Sequence, residues 1–425
     1  MNQNSIKPKT EARVLFIDMN SYFARCEQQV NYWLRNRPVG VCVYTGQFGC
    51  IISPSVEAKK LGVKTGMRLN EAIKICPQLI PLESNPARYR DFHIKIINVL
   101  KKYSQDVVPK SIDEAIVNLE NYKLIHPDLV KVAQAIKKDI YTQVGDWLSC
   151  SIGIAPNAFL AKLAADMQKP DGLTLITTQN IDEKLAGLKL DDLPGIGANM
   201  SRRLERAGIK TPLEMRYAGP ETLKRIFKSI EGIYWHYRLN FVETNILSSK
   251  YKGMGAMRAL SAENRRKPEY VEQVFITLCT TLEKRMVSHD YYCKSVSFGV
   301  IYQDGSRWED HFSLANPIQD AITIIRTLRK RMQDFEQQTS SRPILNPNVT
   351  RISVHISNFV ENRDMMYSLF ENIDQQEKAR KTMYAIKGRF GNEKLIRATE
   401  LTEGPILKDV IGFGSIKDLT EQDYQ

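Results

Sequence analysis

Asp113 and Glu114 stand side by side in VVPKSIDEAIVNL, residues 107–119, between two apolar, β-prone runs. Neighbouring carboxylates repel, and a strand interior is a poor place for two of them. The same tripeptide recurs at 181–183 in TTQNIDEKLAGL, where acids of a first helical turn meet the positive end of the helix dipole. In the first copy, adjacent strand residues would point to opposite faces of a sheet. The two acids can therefore act together only at a tight turn or bulge. Asp18 closes the run ARVLFIDMN, 12–20, and lies 95 residues before Asp113; a sheet could bring all three acids to one edge. Crowded carboxylates raise one another's pKa unless a divalent cation neutralises them. Oxygen-only ligation suits Mg²⁺, which keeps waters and shares a substrate phosphate. Two such ions about 3.5–4 Å apart can clamp the attacking and leaving oxygens of a phosphoryl displacement. The competing reading is an acidic turn in solvent, and convergence with Asp18 separates the two.

The elements that must position these acids follow from periodicity. Residues 12–20 are apolar on both faces, the pattern of a buried central strand. SYFARCEQQVNYWL reads as a helix, PVGVCVYT and CIISPS as strands with a turn at Gly46, and VEAKKLGV and LNEAIKIC as short helices. YRDFHIKIINVLKKYS, 89–104, carries helical apolar spacing at Phe92, Ile96, Val99 and Leu100. The strand pair at 107–119 follows, then the helix PDLVKVAQAIKKDIYTQVG and the strand LSCSIGIAP. This alternation predicts an α+β or α/β sheet backed by helices. From about 176 to 245 the pattern becomes short helices with Gly-rich turns. Beyond it, SVSFGVIY and TRISVHISNFV alternate with period two, and VEQVFITLCTTLEKRM and QDAITIIRTLRKRMQDF are amphipathic, which predicts a second α+β unit over 252–361.

A chain of 425 residues exceeds one ordinary core, so several domains are expected. No apolar run approaches the ~20 residues of a membrane helix. The polar start MNQNSIKPKTEA lacks a signal core, and a cytoplasmic address is expected. The 7 cysteines show no CxxC or zinc-type spacing and read as reduced, buried thiols. A formal charge of +12 favours a polyanionic partner. LPGIGANMSRRLERAGI, 193–209, is a helix, Gly-turn, helix pattern. Gly195, Ile196 and Gly197 would bring backbone N–H groups close to a DNA phosphate, with Arg202 and Arg203 nearby; a plain helical turn is the alternative. In the second unit Lys252, Arg258, Arg265, Arg266, Lys294 and Arg351 could line a duplex as a non-specific phosphate track.

VLFIDMNSYFARCE, VEAKKLGVKTGM, SIDEA, SIGIAPNAFLAKLAADMQKPDG and DLPGIG occur in that order, and their spacing resembles a Y-family (DinB/UmuC-type) translesion DNA polymerase. The motifs run from about residue 14 to 208. The resemblance implies an α+β multidomain right hand. It has a ferredoxin-like palm (11–27 and 86–175), small fingers (28–85), a helical thumb with a helix-hairpin-helix (176–245) and an α+β little finger (252–361). It makes Asp18, Asp113 and Glu114 ligands of two Mg²⁺ ions, with the backbone carbonyl of Met19. Asn20 stands where many relatives have a second Asp, as on the UmuC side of the family. The family's aromatic steric gate falls on Phe23, with Tyr22 as its rival; adjacent residues of one element cannot both face the sugar. Ser53, Lys59 and Lys162 are implied in triphosphate binding. Val56 and Lys59 replace a Tyr and an Arg of many relatives, and Lys lacks Arg's bidentate fork. In the tail, 362–425, Ser368, Leu369 and Phe370 resemble a clamp-binding peptide whose expected Gln is Met366.

The expected activity is low-fidelity, template-directed synthesis from dNTPs on primer-template DNA, with no proofreading segment. A nucleoid-associated location is expected, and a sliding clamp, a recombinase filament or accessory subunits are candidate partners. An inactive DNA-binding or recruitment protein is the alternative from another class, and three retained acids weigh against it. A palm-type nucleotidyl cyclase is disfavoured by the helix-turn-helix element and the basic second unit.

Overall fold

The computed structural model describes residues 7–46, 49–244, 252–339, 342–361, 373–390, 395 and 397. These form two compact units, one ending at residue 244 and the other running from 252 to 397.

The first unit is built on a five-stranded sheet. It contains β1 (Val14–Met19), β5 (Val107–Pro109), β6 (Glu114–Asn118), β7 (Cys150–Ala155) and β8 (Leu173–Leu175), in the order β5-β6-β1-β7-β8. The central β1 is buried throughout, as its unbroken apolar run requires. Its alternate residues divide two cores. Leu15, Ile17 and Met19 face α1 (Tyr22–Val30), α4 (Pro86–Leu100) and α5 (Leu129–Asp139), while Val14 and Phe16 face α6 (Ala158–Met167). Helices α4 and α5, with α1 beside them, cover one face of a sheet that is antiparallel except for its parallel β7–β8 pair, and this matches the ferredoxin-like palm. Period two places Asp18 on the α6 face with Phe16.

A smaller sheet, β3-β2-β4, joins β2 (Val39–Cys42), β3 (Ile51–Pro54) and β4 (Ile80–Glu83). With α2 (Val56–Lys60) and α3 (Leu69–Ile75) it encloses its own core around Ile51, Ala58, Leu69 and Leu79, forming the fingers. The thumb consists of α7 (Ile181–Ala186), α8 (Ala198–Arg206), α9 (Pro212–Tyr217), α10 (Pro220–Phe227) and α11 (Glu231–Leu239). It shares the α6 core, with Trp235 edge-on to Phe159 at 5.1 Å.

The second unit is a four-stranded antiparallel sheet, β11-β10-β12-β9, backed by α12 (Pro268–Ser288) and α13 (Ala321–Thr339). Its strands are β9 (Gly253–Ala259), β10 (Tyr291–Tyr302), β11 (Arg307–Ile318) and β12 (Val349–Glu361). Residues 373–390, read from sequence as tail, form α14 of this unit. Tyr384 donates to the Thr280 carbonyl at 3.4 Å, and Lys381 pairs with Asp290 at 3.1 Å. Arg397 closes on Glu283 of α12 with bonds of 2.5 and 2.8 Å.

The helix expected over residues 21–34 ends at Val30. Asn31 is extended and its side chain accepts the Trp33 N–H, diverting the chain into a short 3₁₀ turn. Strands β9 and β11 had no clean sequence signal, one being Gly-rich and the other carrying Asp310 among Trp308, Phe312 and Leu314 on its covered face. All seven cysteines are free thiols. No helix among the described residues is long and apolar enough to cross a membrane.

Candidate active site

The antiparallel register sets Asp18 directly opposite Glu114 on β1 and β6. Asp113 precedes β6 in the hairpin turn, where the Lys110 and Ser111 N–H groups both donate to the Glu114 carbonyl at 2.9 and 3.2 Å. Strand alternation breaks there, so the adjacent acids escape opposite faces. The Met19 N–H donates to the Asp113 carbonyl at 2.9 Å, tying the turn to the end of β1. Behind the turn, buried His93 of α4 lies with Nδ1 2.8 Å from the Ile112 carbonyl. Burial lowers its imidazole to about 4, so the ring is neutral and Nδ1 carries the proton that binds Ile112.

Two ammonium groups answer the acids. Lys162 Nζ stands 2.5 Å from both Asp18 Oδ2 and Glu114 Oε1, and Lys169 Nζ is 2.7 Å from Asp18 Oδ2. Asp166, one turn beyond Lys162 on α6, steadies both lysines at 3.3 and 2.6 Å. The helix reaches this position because Gly153 lets it lie on β7; a Cβ there would sit 2.0 Å from the Ala161 carbonyl oxygen. Burial raises the Asp18 carboxyl, but Lys162 and Lys169 outweigh it and hold the group below its ordinary value. Asp113 is raised by burial and by the charge of Asp18, against the Ser111 hydroxyl that donates to it at 2.5 Å. Burial also raises Glu114, only partly offset by Lys162. Lys162 is itself held above its ordinary value: the Asp18 and Glu114 charges overcome its burial.

Among the described residues, no three Asp, Glu, His or Cys side chains are gathered as a ready cation cage, and Lys162 stands between Asp18 and Glu114. The donor chemistry nevertheless fits Mg²⁺: every candidate ligand is an oxygen. The ammonium bridging Asp18 and Glu114 marks where the site draws positive charge.

These groups open onto a cavity of about 740 Å³. Phe23, Tyr22, Ser53, Val56 and Lys59 line it, as do Ser21, Lys60, Thr65 and Lys169. Both aromatic residues thus border the cavity, although Tyr22 turns its hydroxyl away to the Tyr89 carbonyl at 2.7 Å. Burial, reinforced by the charge of Lys169, lowers the Lys59 ammonium. Lys169, Lys60 and Ser21 were not singled out from the sequence. Lys169 lies in MQKPDG, the end of the motif SIGIAPNAFLAKLAADMQKPDG, and Ser21 directly follows the Asp18 run. The Ser21 hydroxyl is buried and finds no hydrogen-bond partner among the described residues.

In the thumb, Gly195 adopts φ +99° above the Trp235 ring, a conformation open to glycine. Gly197 precedes α8 with open space where a Cβ would stand. Ile196 differs: its side chain is buried and its N–H already donates to the Leu193 carbonyl at 2.9 Å, so Ile196 holds the turn rather than presenting a donor. Arg202 and Arg203 are exposed, and Arg202 bonds within its own helix to the Ala198 carbonyl and to Asn199. In the second unit, Arg351 faces the side of the sheet away from the helices, in one row with Arg307 across Ile301. Arg258 pairs with core residue Ile352 and therefore points to the helix-covered side. Lys252, Arg266 and Lys294 are exposed and Arg265 half-buried. Ser368, Leu369 and Phe370 lie outside the described residues.

A palm sheet with facing acids at its strand ends, a basic cavity beside them and a Gly-turn thumb define a nucleotidyl-transferring hand of the polymerase type. The impB/mucB/samB family matches residues 17–166, and the C-terminal domain of that family matches 251–369. The chain is 29% identical to DNA polymerase IV of Pelotomaculum thermopropionicum over 401 residues, covering 93% of this chain and 97% of that protein. It is 31% identical to DNA polymerase IV of Staphylococcus aureus strain JH9, over 78% of this chain and 97% of that one. Among solved structures, a Y-family DNA polymerase chimera of Dbh and Dpo4 superposes with TM-score 0.68 at 25% identity, covering 82% of this chain and 99% of that one. An insertion ternary complex of Dbh DNA polymerase shares the fold with TM-score 0.56 at 24% identity, over 82% and 99% of the two chains. The chain belongs to this family, the DinB/UmuC-type Y-family of translesion DNA polymerases. It is a DNA-directed DNA polymerase.

Proposed function

We propose that the cavity is the nucleotidyl-transfer site, where a primer 3′-hydroxyl attacks the α-phosphate of a template-paired dNTP and pyrophosphate leaves. One observation carries this reading: Asp18 and Glu114 face each other across paired strands with a single ammonium bridging their oxygens. Asp18, Asp113 and Glu114, with the Met19 carbonyl, would hold two Mg²⁺ ions, which when bound supply electrostatic stabilisation to the attacking and leaving oxygens. Lys59, Lys162 and Lys169 present ammonium groups to the triphosphate, and Ser53 and Ser21 present hydroxyls from the same cavity wall. Ammonium groups act as point charges, so phosphate placement relies on their number rather than on a guanidinium fork. Phe23 closes the wall where the sugar would lie and leaves no room for a 2′-hydroxyl, whereas Tyr22 has its hydroxyl committed inward.

Backbone N–H groups near Gly195 and Gly197, together with Arg202, Arg203 and the exposed basic residues of the second unit, grip primer-template phosphates without reading sequence. The reading extends to low fidelity, a cytoplasmic, DNA-associated location, and a sliding clamp engaged through Ser368, Leu369 and Phe370. Purified protein is expected to extend a primer with dNTPs and Mg²⁺ and hardly at all with rNTPs. Asp113→Ala is expected to abolish extension while DNA binding persists. Absence of extension by the unaltered protein over a range of templates and partners would instead favour a recruitment protein that retains the fold.

A further inference from the structure

Behind Phe23 lies a second ring. Tyr89 of α4, fully buried, stacks on Phe23 with centroids 4.3 Å apart and planes 17° from parallel. Its phenol donates to Glu27 Oε1 at 2.8 Å, and its own carbonyl accepts the Tyr22 hydroxyl at 2.7 Å. Glu27 stands one helical turn beyond Phe23 on the same face of α1, and its other oxygen is paired with the neighbouring Arg88. The backing ring is thus gripped at its main chain by Tyr22 and at its phenol by Glu27. Both grips come from the helix that carries Phe23.

We propose that Tyr89 is a positioning residue for sugar selection: it blocks the retreat of Phe23 and so turns a soft aromatic wall into a rigid one. The proposal rests on the reading of Phe23 as the gate. The physical reason is one of magnitude. A phenyl ring free to leave its rotamer yields at a cost equivalent to roughly two- to tenfold in rate, too little to exclude ribonucleotides strongly. A flat ring at stacking distance removes the space into which Phe23 would swing, so a 2′-hydroxyl meets close-packed aromatic carbon. The Glu27 bond fixes the tilt of that ring; the stack itself provides the stop.

The test is single-nucleotide primer extension by the full chain, with kcat and KM measured for a dNTP and for the matching rNTP. Tyr89→Leu, which removes the flat face, is expected to lower the dNTP-over-rNTP ratio of kcat/KM by about 30-fold. The loss should come through faster rNTP use, with kcat for the dNTP within about threefold of the parent. Tyr89→Phe, which keeps the stack and drops the phenol, is expected to restore the ratio to within about threefold. Phe23→Ala, measured alongside, separates the two claims. Unchanged sugar selectivity in Phe23→Ala would overturn the gate reading and this proposal together. Relaxed selectivity in Phe23→Ala with parental selectivity in Tyr89→Leu would overturn the proposal alone, as would an equal loss of dNTP and rNTP rates in Tyr89→Leu. If Tyr89→Leu does not fold by far-UV circular dichroism, Tyr89→Met, which fills the volume without a flat face, is judged by the same outcomes.

Discussion

At the scale of single residues the site is a problem in charge. Asp18 is held low by two ammonium groups, whereas Asp113 and Glu114 are raised above their ordinary values, chiefly by burial. A carboxyl raised in the folded state begins to cost stability as the pH rises through its unfolded value and costs it in full above its folded value; that cost vanishes as the pH falls below the unfolded value. A bound dication offsets the cost only where the acids are charged. Added Mg²⁺ is therefore expected to raise the melting temperature more at about pH 8 than at about pH 5. Thermal melts with and without MgCl₂ read this out; equal shifts at both pH values would remove these acids from the cation site. By the same sign, primer extension at limiting Mg²⁺ falls as pH drops toward the raised values of Asp113 and Glu114, and higher Mg²⁺ restores it.

At the scale of elements, placement of the ammonium groups depends on how closely α6 approaches β7. Gly153 permits that approach, and Gly153→Ala would drive a methyl into the Ala161 carbonyl and the Ala165 N–H, at 2.0 and 2.4 Å. The helix must lift, at a cost of about 1–3 kcal/mol or more. Lys162, carried by that helix, must move with it. The expected result is a lower urea midpoint together with weaker dNTP binding. A destabilised protein with unchanged KM would show that the lysines are positioned independently of the helix packing. On the opposite side of the sheet, His93 performs a comparable service for the hairpin by satisfying the Ile112 carbonyl next to Asp113.

At the scale of the whole molecule, each unit keeps its own core, and the second is completed by residues beyond its last strand. Glu283 on α12 is fully buried; it accepts the Ala321 N–H at 2.5 Å and the Arg397 guanidinium through both oxygens. Removing one partner of a buried pair leaves an uncompensated charge, so Arg397→Ala is expected to cost about 3–5 kcal/mol in chemical denaturation. The joint change Glu283→Leu with Arg397→Leu should recover most of that loss. A neutral Arg397→Ala would show that the pair does not hold the end of the chain to the second unit. Arg351, on the sheet face away from the helices, tests the DNA grip. Its replacement by Ala should weaken duplex binding equally on unrelated sequences and reduce the slope of log K against log salt by about 0.9, one phosphate's worth.

Much of this was legible in the sequence because it is local. Two-sided apolarity marked β1 as central, period two and 3.6 marked the principal strands and helices, and the paired acids called for a tight turn or bulge at Asp113 and Glu114, where the hairpin turn lies. The ordered motifs carry the family resemblance in the sequence itself. Other features depend on groups remote in the chain and emerge only when the fold brings them together. No spacing rule relates Lys162 and Lys169 to Asp18, 144 and 151 residues away. None sets Tyr89 against Phe23, gives Glu283 its partner 114 residues on, or turns Arg258 toward the helices while Arg351 turns away. Periodicity encodes which face a residue takes within its own element; which charge or ring meets it across that face is set by register and packing between elements, and the tertiary structure alone decides those.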